Sequence, residues 1–326
     1  SSFVPKPHTP FQWLGQNPVA ELRRKQQLLR EAIKPLRAVS LHYHDAEQSM
    51  LEAAFARGDR RLAGVLLEAR KRGCHLDGWS EHFDLAAWRE AFAAAADEVE
   101  KIYGAPPDLL VLTAGVNVFG PAEASTYDDF DWVVGVCFGG VVNGLITFVP
   151  RMIKAGKGGH IASTVSWGAF GAGPSTAPYS AAKAAVLNLL ESYFVSLKPY
   201  GIGVTAVCPA NINSKIYEAA IKTRPEKFKN TGYNVSEDTQ KLLASIHKNG
   251  MDPRVLAQWL KEGIENEQFL VVPYPSGPRM VEIALSRFVD YASPEGMKRL
   301  EEKQKQPPTE EEIRHNNERE GYDVSA

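Results

Sequence analysis

The sequence predicts an α/β fold with a doubly wound parallel sheet, covered by helices on both faces. From about residue 93 onward, short apolar runs alternate with amphipathic stretches, as in Asp108-Leu-Leu-Val-Leu-Thr113 followed by Phe130 to Lys154. The composition of the 326-residue chain, 44% hydrophobic and 23% charged with 21 Pro and 26 Gly, excludes collagen-like, low-complexity and largely disordered classes. Thirty-seven basic against 39 acidic residues leave a net charge of −2, so no overall field draws in nucleic acid or an anionic membrane. A small uncharged or mildly polar ligand is the default partner.

The elements are expected in the following order. Residues 1–92 carry a Pro-rich start, a charged helix (Val19 to Ile33), one strand (Ala38 to Tyr43) and helices at Glu47 to Arg57 and Arg60 to Arg72. Next come a helix (Ala94 to Tyr103), the Asp108 to Thr113 strand, the long Phe130 to Lys154 helix and a strand from His160 to Val165. A helix (Pro178 to Leu197), a strand (Gly203 to Cys208), a helical lid region (Ser214 to Glu265) and a last strand (Phe269 to Pro273) complete the pattern, before a charged tail beyond Lys298 that is expected to fray.

Cys74, Cys137 and Cys208 are too few and too scattered for a disulfide framework, which points to a reducing, cytoplasmic setting. The longest apolar run, Val141 to Pro150, is broken by Asn143 and Gly144 and reads as too short to span a bilayer. The chain opens on Ser1 with neither an initiating Met nor a signal-peptide pattern, so it reads as beginning inside a longer protein.

The chemistry is concentrated in Ser166, Tyr179 and Lys183. Tyr179 and Lys183 stand four residues apart on one helical face, so the ammonium lies beside the phenol and favours its ionised form. Ser166 ends a strand thirteen positions before Tyr179 and points toward the same crevice. Such a trio moves a proton to or from oxygen while a hydride moves at carbon. A Tyr and a Lys at this spacing are also an ordinary helix-surface pair. The surrounding order discriminates: strand, Ser166, the Tyr–Lys helix, then a strand entering Cys208-Pro-Ala-Asn-Ile-Asn-Ser214.

In these motifs the chain resembles the short-chain dehydrogenases/reductases over roughly residues 93–275, which implies a Rossmann-like fold. Thr113-Ala114-Gly115 is similar to that family's Asn-Asn-Ala-Gly turn, and Pro209 to Ser214 to its nicotinamide loop. Within the family, Ala114-Gly-Val-Asn-Val-Phe-Gly120, Thr126-Tyr-Asp-Asp-Phe-Asp-Trp132 and Arg224-Pro-Glu-Lys-Phe228 are most similar to Cα-dehydrogenases, which oxidise the benzylic alcohol of lignin-derived β-aryl ethers with NAD. The resemblance implies Tyr179 as general acid/base, Lys183 as its activator and ribose ligand, and Ser166 as the group orienting the reacting oxygen. It also implies Thr113, Ala114, Gly115, Pro209, Ile212 and Ser214 as cofactor contacts, with NAD favoured over NADP. Trp167, Phe170 and Tyr217, with Val118 and Phe119, follow strand ends or precede the lid, where their bulk suits an aromatic substrate or simply fills core. The broad apolar faces of the two long helices are expected to pair with further copies, as a homodimer or homotetramer.

Three departures from the family pattern stand out. Cys137 occupies the position of the family's fourth catalytic residue, an Asn, and is either a weaker hydrogen-bonding substitute or an inert buried thiol. Leu112 and Thr113 replace the paired Asn. Residues 1–92 contain no Thr-Gly-x-x-x-Gly-x-Gly turn of the kind that lets a helix N-terminus receive a pyrophosphate. Instead, Phe3-Val-Pro-Lys-Pro-His-Thr-Pro-Phe-Gln-Trp13, Phe55-Ala-Arg-Gly-Asp-Arg-Arg61 and Arg72-Gly-Cys-His-Leu-Asp-Gly-Trp79 resemble the closing section of a B12-binding radical SAM family, without its three-cysteine cluster motif. The sequence therefore divides into an α-rich segment (1–92) and a dehydrogenase-like domain (93–326). His42 and His44, with Asp45, Cys74, His75 and His82, offer possible metal ligands but lack a fixed return spacing, and no metal site is assigned. Two functions follow: an NAD(P)-dependent oxidoreductase acting on a secondary alcohol or ketone, or a scaffold or fusion lacking the dinucleotide phosphate site.

Overall fold

The computed structural model describes residues 65–66 and 85–320, apart from residues 225 and 230. Five strands form one wholly parallel sheet in the order β1 (Val65–Leu66), β2 (Leu109–Leu112), β3 (Gly159–Thr164), β4 (Ile202–Val207) and β5 (Leu270–Val271). Each crossover carries a helix, as parallel pairing requires. Side-chain alternation along the strands sends Leu110, Leu112, Ile161, Val204 and Ala206 to one face and Leu109, Ala162 and Val207 to the other. The first face is covered by α1 (Leu85–Tyr103), α3 (Gly140–Ala155) and α4 (Ala177–Ser196) through Phe92, Ala96, Leu145, Phe148, Met152, Val186 and Leu190. The second is covered by α7 (Pro253–Glu265) through Leu256, Leu260 and Ile264. The architecture is the expected Rossmann-like α/β fold.

Several elements differ from expectation. Residues 65–66 lie in the expected Arg60 to Arg72 helix but form a strand, with Val65 opposite Leu110 and Leu66 opposite Val111. The free edge of β2 must pair its backbone groups, and that tertiary demand overrides local helical periodicity. Helix α1 begins at Leu85, nine residues before the expected start, so the expected boundary at 92/93 falls inside a helix. The expected elements at Val19 to Ile33, Ala38 to Tyr43 and Glu47 to Arg57, the six possible metal ligands, and the segments resembling the B12-binding family at Phe3 to Trp13, Phe55 to Arg61 and Arg72 to Trp79 lie outside the described residues.

The long helix starts at α2 (Tyr127–Val134), behind a capping box in which Asp129 accepts from the Thr126 backbone at 2.9 Å and its hydroxyl at 2.8 Å. It passes through a π-turn (Gly135–Gly139) into α3. Tyr127–Ala155 is long and apolar enough to cross a bilayer by length and composition, but half of its most apolar 18-residue window is buried. Its Gly144 lies against β2, where an added Cβ would stand 2.6 Å from Leu112 Cδ2. Two glycines open β3: Gly158 and Gly159 have φ of 70° and 142°, and a Cβ on Gly158 would meet the Gly201 carbonyl at 2.6 Å.

The lid region breaks into α5 (Ala219–Lys222) and α6 (Glu237–Lys248) before α7. Beyond β5, α8 (Gly277–Tyr291) was not anticipated, and the tail expected to fray forms α9 (Pro294–Gln304) and α10 (Glu310–Glu320). The polar termini supply the reason. Ser293 caps α9, Thr309 and Glu312 form a reciprocal cap on α10, and Arg299–Asp290 and Arg279–Glu311 tie neighbouring helices together.

Candidate active site

The expected catalytic residues converge where β3 ends and α4 begins, at the carboxyl edge of the sheet. Ser166 follows β3 in extended conformation, and its hydroxyl accepts the Gly168 N–H at 3.1 Å. Gly168 shares a small space with both neighbours, since a Cβ there would lie 3.4 Å from Ser166 Oγ and 3.7 Å from Tyr179 Cδ1. Tyr179 is half-buried, and burial raises its phenol well above the usual range, while a hydrogen bond with the Ser166 side chain pulls it down. Lys183 is 3% exposed; its Nζ lies 5.7 Å from the Tyr179 ring centre and donates to the Thr164 carbonyl at 2.8 Å. Burial pushes its ammonium below the ordinary value. The spacing thus brings Ser166, Tyr179 and Lys183 together.

Cys137 belongs to the same cluster. Its thiol accepts from the Val116 N–H at 3.4 Å and donates to the Val116 carbonyl at 3.2 Å. A Cβ on Gly115 would lie 3.5 Å from Lys183 Nζ and 3.8 Å from Cys137 Sγ, ordinary contact distances that put this turn beside both side chains. Burial pushes the Cys137 thiol up, against a downward pull from Lys183. Cys208, which was not anticipated here, is held up to about 12 by burial, despite a hydrogen bond with the Ser166 backbone and the charge of Lys183. At the other changed position, the Leu112 carbonyl accepts the Ser163 hydroxyl at 2.9 Å, while the Leu112 side chain fills core.

The Pro209 to Ser214 loop is fastened along its backbone. The Pro209 carbonyl accepts Trp167 N–H at 2.7 Å and Ala210 N–H donates to the Tyr274 hydroxyl at 2.9 Å. Asn211 and Asn213 bond to Met251, and the Ile212 carbonyl takes His247 Nδ1 at 3.3 Å. Ser214 is half-buried at the start of the lid. Among the aromatic residues expected at the substrate, Phe170 is 4% exposed, packs in the main core and meets half-buried Trp167 edge-on at 5.6 Å. Val118 is likewise buried, Phe119 is half-buried, and Tyr217 stacks on His247 at 5.6 Å rather than on the Ser166–Tyr179 group. Among the described residues no group of three His, Cys, Asp or Glu side chains is placed to hold a metal ion.

Comparison with known proteins agrees with this arrangement. The short chain dehydrogenase family profile matches residues 44–225, more than half of the chain, and begins well upstream of residue 93. A C alpha-dehydrogenase of Sphingobium sp. (strain NBRC 103272 / SYK-6) is 48% identical over 206 residues, covering 63% of this chain and 67% of that protein. A probable oxidoreductase, EphD, of Mycobacterium bovis is 35% identical over 127 residues, so the chain spans only 21% of its length. The apo form of LigD from Sphingobium sp. strain SYK-6 superposes with a TM-score of 0.50 at 42% identity, over 63% of this chain and 72% of that one. A short chain dehydrogenase/reductase from Burkholderia phymatum, solved in complex with NAD, gives 0.57 at 27% identity, over 64% and 74%. The extended family match and the parallel sheet together place the chain in the short-chain dehydrogenase/reductase family of oxidoreductases.

Proposed function

We propose that the protein transfers a hydride between NAD(P) and a secondary alcohol or ketone, with a benzylic alcohol as its preferred substrate class. The observation that carries this reading is the meeting of Ser166, Tyr179 and Lys183 beside the Thr113–Gly115 turn and the Pro209–Ser214 loop. The residues fit the nicotinamide-ribose half of a dinucleotide: the Gly115 turn lies beside Lys183 Nζ, and the loop's tied backbone holds Ile212 in place just before Ser214. Lys183 would bind the ribose, with Thr113, Ala114 and Pro209 lining its approach. When bound, the nicotinamide supplies the hydride acceptor for oxidation and the donor for reduction.

In oxidation, Tyr179 takes the hydroxyl proton as the hydride leaves the carbinol carbon, and the product is the ketone. Ser166 holds the reacting oxygen by hydrogen bond, and its hydrogen bond to Tyr179 favours the phenolate that burial opposes. NAD and a benzylic alcohol are supported by the resemblance to Cα-dehydrogenases, by the relative of that name and by the NAD complex of the Burkholderia phymatum protein. Exposed Ile146 and Val195, on α3 and α4, support association into a homodimer or homotetramer.

Replacing Tyr179 with Phe is expected to lower turnover of an α-methylbenzyl alcohol about 10²–10⁴-fold, with an unchanged circular dichroism spectrum. Full activity in this variant contradicts the assignment. The second reading, a dehydrogenase-like scaffold without a dinucleotide site, is favoured by the missing glycine-rich turn in residues 1–92.

A further inference from the structure

Two motifs that single out the Cα-dehydrogenase-like part of the sequence, Thr126 to Trp132 and Arg224 to Phe228, lie far apart in the chain and meet at one buried ion pair. Arg224 donates to Asp129, and their side chains are 1% and 0% exposed. The guanidinium also donates to the Thr231 hydroxyl at 2.8 Å, the Asn234 side chain at 2.8 Å and the Tyr233 carbonyl at 3.3 Å. Thr231 in turn reaches Asp129 at 3.1 Å, and Asp129's other oxygen is engaged by Thr126 at the cap of α2. Arg224 therefore gathers the lid segment 224–234 onto the first turn of α2.

This knot bears on the reacting group. Tyr233, wholly buried, donates its hydroxyl to the Ser175 carbonyl at 2.8 Å, two residues before the helix that carries Tyr179. Its backbone lies so close to Gly120 that a Cβ there would stand 2.6 Å from the Tyr233 carbonyl carbon. Tyr233, Phe228 and Ala219 from the lid join Val116, Val118 and Trp132 in one apolar cluster, against which Tyr179 packs. A polar pin inside an apolar wall fixes a distance that loose packing leaves adjustable.

We propose that Arg224, through Asp129, is a positioning residue that holds the lid wall at a set distance from Tyr179 and so determines which alcohols fit. The inference rests on the proposed dehydrogenase function for its substrate readout and on the lid geometry alone for its second readout. Arg224→Lys keeps the charge but loses the planar fork that reaches four partners, and Asp129→Asn keeps the shape but loses the charge. Both variants of the full chain are expected to change the ratio of kcat/KM for α-methylbenzyl alcohol over isopropanol by about 10–100-fold, with NADH affinity unchanged. Hydrogen exchange over residues 219–234 is expected to speed up in both, while β3 and β4 keep wild-type protection. An unchanged alcohol ratio in an active enzyme overturns the proposal, as does wild-type exchange in the lid or a uniform increase that includes β3 and β4. If the wild-type chain oxidises neither alcohol, the dehydrogenase reading fails, and exchange confined to the lid still decides whether Arg224 holds the wall.

Discussion

Tyr179 and Lys183 need only one turn of α4 to meet, so their pairing is visible in the sequence, whereas what surrounds them is not. The thiols of Cys137 and Cys208 come from different crossovers, and where the resemblance put Cys137 with the catalytic group, nothing in the sequence marks Cys208 as a neighbour of Lys183. Cys137 hydrogen-bonds both backbone groups of Val116, so its thiol acts as a hydrogen-bonding group at that turn. Its wholly buried side chain makes a clear test. Cys137→Ala leaves the Val116 N–H and C=O without that partner and is expected to cost about 1–3 kcal/mol, read as a lower urea midpoint at unchanged slope. Cys137→Ser restores a donor and acceptor and is expected to recover part of the loss. Equal loss in the Ala and Ser variants would mean that the thiol only fills space.

Among the elements, strands β2 to β5 were legible because buried parallel strands are short and continuously apolar. Their expected limits agree with the observed ones to within one or two residues, as in His160 to Val165 against Gly159–Thr164. The π-turn inside the long helix was not legible, since Gly135-Val-Cys-Phe-Gly139 keeps helical composition while the hydrogen-bond register widens. The charged tail was misread because charge density suggests fraying, while caps and ion pairs between α8, α9 and α10 depend on the folded arrangement.

Helix α6 carries its own test. His247 is 8% exposed in its last turn, and burial pushes the imidazole below 6.5, although the Ile212 carbonyl pulls it up. The unfolded chain therefore binds a proton that the folded chain refuses, so this contribution to stability is complete above pH 6.5 and is lost as the pH falls below it. The Tm of the wild-type protein is expected to fall more steeply below pH 6.5 than that of His247→Gln. Parallel curves would remove His247 as the cause.

At the scale of the whole molecule, the doubly covered parallel sheet follows from the alternation of apolar runs and helices, but its extent does not. The family match from residue 44 and the pairing of β1 with β2 bring part of residues 1–92 into the dehydrogenase framework, although those residues lack the glycine-rich turn. The sequence motif for a phosphate-binding turn is a local signal. A strand recruited to a sheet edge is a tertiary one, and two residues of it carry no periodicity to read. The Asp129–Arg224 pair was similarly hidden, because each residue lies in a motif whose partner is remote in sequence.

The central claim is that this framework binds a nicotinamide dinucleotide at Lys183 and reacts through Tyr179. Titration of the full chain with NADH, followed by nicotinamide fluorescence, tests it most directly. The account predicts a saturable increase in emission that Lys183→Met weakens and Tyr179→Phe leaves in place. No change in emission up to millimolar NADH contradicts the account and leaves the scaffold reading in its place.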